Sequence, residues 1–149
     1  MINFIIYNLP EGLSEAFIQN VANQISKTLN KSDIIEVNFI SKEEIKHLNK
    51  DYRGKNMETD VLSFSFTESR GERIEEKNEV AGQIFICYDI AREQAIEHEW
   101  SLENELALLM IHGALHIYGY DHENEQEYMQ MVKKENEILK NLKLREYES

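Results

Sequence analysis

The stretch Ile111-His112-Gly113-Ala114-Leu115-His116-Ile117-Tyr118-Gly119-Tyr120-Asp121-His122 constrains this chain more than any other part of it. His112 and His116 are four positions apart, so on a helix both imidazoles leave one face, about a turn from each other and within reach of one ion. Gly119 then ends the helix, because a glycine just past the last helical residues takes the left-handed conformation that turns the chain sharply. That turn brings His122 back as a third nitrogen donor. Three neutral imidazoles suit zinc, one ion per chain, and a catalytic zinc keeps its fourth position for water. Apolar Leu108, Leu109, Ile111 and Leu115 surround the pair, and unsatisfied imidazoles there would cost free energy, which favours metal binding over coincidence. His47 and His98 have no partner at ligand spacing and read as surface residues.

The spacing H-x-x-x-H-x-x-G-x-x-H is that of the metzincin peptidases, whose second position is a glutamate acting as general base. Gly113 stands there instead. Without that carboxylate, peptide hydrolysis loses the group that takes a proton from the metal-bound water and passes it to the leaving amine. Phosphodiester chemistry stays open, because zinc alone lowers its water's pKa to about 7 and polarises a phosphoryl oxygen.

With 149 residues and 42% hydrophobic content, the chain is long enough for one compact domain, 1–149, and too short for two substantial ones. Its apolar runs are too short for a membrane span, the longest being broken by His112 and Gly113. Met1-Ile2-Asn3-Phe4 reads as a first strand rather than a signal peptide, which points to a cytoplasmic protein. Cys87 is the only cysteine and lies in the apolar run Ile84-Phe85-Ile86-Cys87-Tyr88, so it reads as a buried thiol rather than a nucleophile. A formal net charge of −12 argues against broad attraction to nucleic acid. Any RNA contact must be local, and Lys50-Asp51-Tyr52-Arg53-Gly54-Lys55 is the best candidate, with three cations and an aromatic around a glycine.

Asn3 to Tyr7 predicts a strand, and Leu13, Phe17, Ile18, Val21, Ile25 and Leu29 fall near helical spacing. Ile35, Val37 and Phe39 share one face of a second strand. Ser41 and Glu44 form a capping-box pattern opening a short helix that ends near Asn49, with a loop over 50–60. Val61 to Phe66 predicts a third strand, 67–78 a polar connection and Val80 to Tyr88 a fourth strand. Asp89 is expected to cap the next helix, and Ser101 the apolar helix that carries the histidines. Tyr128, Met131, Val132, Glu135, Ile138, Leu139 and Leu142 trace a terminal amphipathic helix whose stripe reads as core. The whole predicts an α+β fold, a small mixed four-stranded sheet packed with helices, the metal site lying at the end of the histidine-bearing helix.

These segments together resemble the YbeY endoribonuclease family of rRNA maturation factors over nearly the whole chain. His112-Gly113-x-Leu115-His116-x-x-Gly119-Tyr120-Asp121-His122 is similar to the family signature. Leu48-Asn49-x-x-Tyr52-Arg53-Gly54-Lys55, followed by Thr59-Asp60-Val61-Leu62-Ser63-Phe64, resembles its second motif. The segment from Gln94-Ala95 to Glu105-Leu106 is similar to the family's approach to the metal. The resemblance implies that His112, His116 and His122 bind zinc and that Arg53 is the cation needed for RNA processing. It further implies 16S rRNA 3′-end maturation and ribosome quality control, with small-subunit ribosomal proteins and an assembly GTPase as partners. Glu58 departs from a frequent proline, and Gln83 from an aspartate that is usual in the fourth strand.

Three functions compete. The first is a zinc-dependent single-strand endoribonuclease in which Arg53 holds the phosphodiester through its planar two-point fork. The second is a ribosome-assembly binding factor whose zinc is mainly structural, favoured by the acidic surface. The third is a zinc peptidase, disfavoured by Gly113. A structural site is normally closed by four protein ligands, and no fourth cysteine or histidine lies at suitable spacing. Asp121 fits equally as an acceptor orienting a ligand imidazole or as a turn residue.

Overall fold

A computed structural model describes residues 1–66 and 80–146. Its elements are β1 (Asn3–Tyr7), α1 (Glu15–Leu29), β2 (Ile34–Ile40), α2 (Lys42–Arg53), β3 (Val61–Ser65), β4 (Val80–Cys87), α3 (Tyr88–Glu97), α4 (Leu102–Ile117) and α5 (Glu125–Asn141). The sheet order is β1-β2-β4-β3. β1, β2 and β4 run parallel, and β3 pairs antiparallel with β4, setting Val61 opposite Ile86 and Phe64 opposite Gln83. This is the mixed α+β sheet expected from the sequence.

Parallel strands need helices on their faces, and alternation sorts the side chains between two layers. Ile35, Val37, Phe39, Ile84 and Ile86 join α1, α4 and α5 in the main core, whereas Leu62, Phe64, Phe85 and Cys87 face Ile45 and Leu48 of α2. Each fully buried Ile, Leu or Phe contributes about 1.5–3 kcal/mol through burial. Burial also pushes the Cys87 thiol above its ordinary pKa, in keeping with an inert strand thiol.

The helix α4 is central. Leu106 through Ile111 are all buried, as expected of a helix that is apolar on nearly every side. It approaches the sheet closely because Gly113 faces β4: a Cβ there would lie 3.0 Å from both Cγ atoms of Ile84. The Ser65 hydroxyl of β3 donates to the Ile117 carbonyl at 2.9 Å and ties the last turn of α4 to the edge strand.

Several boundaries differ from expectation. α2 continues past Asn49 to Arg53, so Lys50 to Arg53 are helical rather than loop. The polar run hides this because its one buried residue, Asn49, is itself polar, and because Gly54 supplies a left-handed cap at φ +70°. Asp89 does not cap α3. That helix leaves β4 directly, with Cys87 at the cap position and no side-chain bond there, and Asp89 instead pairs with Arg92 at 2.7 Å. β3 stops at Ser65 and β4 at Cys87, so Phe66 and Tyr88 lie beyond them. The polar connection expected over 67–78 lies outside the described residues.

Candidate metal centre

Ser101 caps α4 by accepting from the Asn104 N–H, and from this start the helix carries Glu105, His112 and His116 toward one side. At its end, the Tyr120 N–H bonds the Leu115 carbonyl at 3.0 Å and the Gly119 N–H bonds the His116 carbonyl at 3.1 Å. These are the two bonds of a Schellman turn, and Gly119 takes φ +95° as that turn requires. Tyr118 pins the turn to the segment that leads into β2, its phenol donating to Asp33 Oδ2 at 2.7 Å. Burial first, then the bond to Asp33, holds that phenol well above its ordinary pKa.

The turn gathers the three histidines. Ring centroids lie 4.6 Å apart for His112 and His116, 5.2 Å for His116 and His122, and 6.0 Å for His112 and His122. The Nε2 atoms of His112 and His116 face each other at 3.1 Å. His112 Nδ1 lies 2.7 Å from Oε2 of Glu135, a carboxylate that is buried on α5. A carboxylate in that position requires a proton on Nδ1, which leaves the Nε2 lone pair directed at His116. Burial, followed by the charges of His112 and His122, lowers the His116 pKa to about 4, so this imidazole is neutral near pH 7. Converging imidazole nitrogens, with His116 held neutral, form a donor set that suits a divalent cation such as zinc.

Carboxylates surround this set. Asp121 Oδ1 accepts from the His122 N–H at 2.7 Å and lies 3.2 Å from its Nδ1, so it serves both as turn residue and as ring neighbour. Asp121, Glu123 and Glu127 bring ligand oxygens within 4.8 Å of one another, and Glu127 Oε2 is a buried acceptor with no hydrogen-bond partner among the described residues. An orphaned anionic oxygen near the turn is consistent with a cation in this region.

Beside the histidines is a cleft of about 330 Å³, lined among others by Asp60, Glu105, His112, His122, Tyr128 and Glu135. His98 is exposed, as expected of a surface residue, and it also belongs to the cleft wall. Its Nδ1 lies 2.6 Å from Glu105 Oε1, which also accepts from the Trp100 indole at 2.8 Å. With its amide turned to donate, Gln94 bridges Glu105 Oε2 and Asp60 Oδ2 at 3.0 and 3.1 Å. Reading the sequence missed both Glu105 and Glu135. Each left a trace as an acid set within an apolar helical stripe, which must find a partner once buried.

Arg53 stands apart from the cleft lining. It is exposed in the last turn of α2, next to Tyr52, whose ring packs on Phe64 of β3. Gln83 points to the α2 side of the sheet, donating to Glu36 Oε1 at 2.9 Å, away from the histidines.

A mixed sheet carrying helices in this arrangement is shared with a solution structure from Thermotoga maritima, which is 30% identical and aligns with a TM-score of 0.60 over 96% of this chain and 92% of that one. Residues 7–143 match the family described as Endoribonuclease YbeY, and the chain belongs to that family. Endoribonuclease YbeY of Staphylococcus saprophyticus is 45% identical over 106 residues, 70% of this chain and 69% of the relative. Endoribonuclease YbeY of Bacillus subtilis is 36% identical over 136 residues, covering 85% and 87%.

Proposed function

We propose that this chain, acting as one domain over 1–149, is a zinc-dependent endoribonuclease that cuts single-stranded RNA in 16S rRNA 3′-end maturation and ribosome quality control. The observation that carries the reading is the convergence of the His112, His116 and His122 rings on one another beside a cleft that His112 and His122 line, with His112 braced by the buried Glu135. His112, His116 and His122 would hold one zinc ion. When bound, it supplies a Lewis acid for a phosphoryl oxygen and a water acidic enough to ionise near pH 7.

The chain's own residues supply the rest. Glu135 fixes the tautomer of His112 so that Nε2 stays a donor of electrons. Arg53, at the exposed end of α2 and outside the cleft lining, holds a phosphate of the substrate through its planar fork. Small-subunit ribosomal proteins and an assembly GTPase are the partners this reading proposes. No described helix is long and apolar enough to cross a membrane; a cytoplasmic site of action is part of the proposal.

The test is metal analysis together with cleavage of a structured rRNA fragment by wild type and His116→Ala. The expected result is one zinc per wild-type chain and loss of both metal and cleavage in the variant. Equal cleavage by both proteins, or by wild type stripped of metal with a chelator, would sink the reading.

A further inference from the structure

The apolar surface beside Arg53 has no part in the chemistry above. Tyr52 is 68% exposed and Met57 57% exposed, in a chain whose other large apolar side chains are mostly buried. Neither residue is on a slack loop. The Tyr52 ring packs edge-on against Phe64, centroids 5.3 Å apart, and Phe64 packs in turn against Phe85 at 5.8 Å. Buried Asn49 donates its amide to the Met57 carbonyl at 3.0 Å, and its own carbonyl accepts from the Lys55 N–H at 3.2 Å. The segment is therefore held open with its ring presented to solvent.

Charge distinguishes this surface from the rest of the molecule. Residues 50–55 carry Lys50, Arg53 and Lys55 against Asp51 alone, in a chain of net charge −12. Cations in the last turn of a helix offset its dipole, which accounts for Lys50 and Arg53. It does not account for Lys55 beyond the cap, or for an outward-facing ring and thioether among the cations. An exposed aromatic face flanked by cations is the combination that binds single-stranded nucleic acid, each base stacking on a ring while the phosphates meet positive charge.

We infer that Tyr52 is a stacking platform for one base of single-stranded RNA, with Met57 packed beside that base and Lys50 and Lys55 on the neighbouring phosphates. This rests on the RNA reading of the preceding section and adds the subsite that selects unpaired substrate. From Phe64 to Val61, which lines the cleft, is about 10 Å at ~3.3 Å per strand residue, and about three stacked nucleotides at ~3.4 Å each span it. Leu62 and Phe64 pack on the α2 side whereas Val61 packs against the main core, so the RNA passes around the edge strand β3. A duplex cannot use the platform, because the faces of its bases are already stacked.

The test uses zinc-loaded wild type, Tyr52→Ala, Tyr52→Leu and Tyr52→Phe, with two probes: a single-stranded oligouridylate containing one 2-aminopurine, and an RNA duplex of equal length. Tyr52→Ala and Tyr52→Leu should lose roughly 5- to 150-fold in affinity for the single strand, along with the fluorescence quenching that stacking causes. Tyr52→Phe should keep both, duplex affinity should not change, and zinc content and Tm should match wild type in at least one of the two losing variants. Wild-type affinity and quenching in Tyr52→Leu, or an equal loss on the duplex, would overturn the platform. Wild type that binds neither probe would overturn the RNA reading, and the platform with it.

Discussion

If His112 is a ligand as proposed, its chemistry depends on one hydrogen bond, from Nδ1 to the buried Glu135. Glu135→Gln preserves shape but removes the charge that holds the proton on Nδ1, so zinc affinity should fall by about 10- to 100-fold while the fold survives. Competition with a chromophoric chelator measures this directly, and unchanged affinity would show the bond to be incidental. Arg53→Ala should leave zinc and Tm alone and slow single-turnover RNA cleavage, with Arg53→Lys restoring only part because a point charge lacks two-point geometry. Wild-type turnover in Arg53→Ala, combined with loss of a ribosomal partner, would favour the binding-factor reading instead. The three histidines were legible because helical spacing and a turn glycine are local facts of the chain. Glu135 was read only as part of a core stripe, since its partner lies 23 residues away and only tertiary packing joins them. The pairing of exposed His98 with Glu105 was not legible for the same reason, since it depends on the turn between α3 and α4.

At the scale of elements, the contact of α4 with β4 explains the missing peptidase glutamate. Position 113 faces Ile84 of the sheet, so a carboxylate there would be driven into the core rather than toward a reacting water. Gly113→Ala should destabilise the protein by about 1–3 kcal/mol through overpacking, measurable by urea denaturation. In a double-mutant cycle with Ile84→Ala, which removes both Cγ atoms, the combined loss should be smaller than the sum of the two single losses; additive effects would mean the two positions do not press on each other. Strands and amphipathic helices were readable from periodicity, and the sheet class followed from their order. The end of α2 was not, because Asn49 is buried for its hydrogen bonds rather than its hydrophobicity and breaks the apolar rhythm. The start of α3 was missed because the chain passes from strand to helix without a side-chain cap.

Across the whole molecule, the proposed metal centre joins α4, the turn after it and α5, which reaches it through Glu135. Stripping the metal should raise amide hydrogen exchange in α5 and in the turn, while the amides of β2 and β4, deep in the core, stay protected. Uniform acceleration everywhere would mean that the metal supports the entire fold rather than this junction. The Schellman turn has a consequence for rates as well. His112 and His116 are anchored on a buried helix, but His122 hangs on a glycine at φ +95° with just over half its side chain exposed. Metal exchange should therefore begin at His122, so that the lifetime of the complex is set by how often one turn opens. Gly119→Ala should shorten that lifetime against a fast chelator far more than it alters the α-helical circular dichroism of the protein.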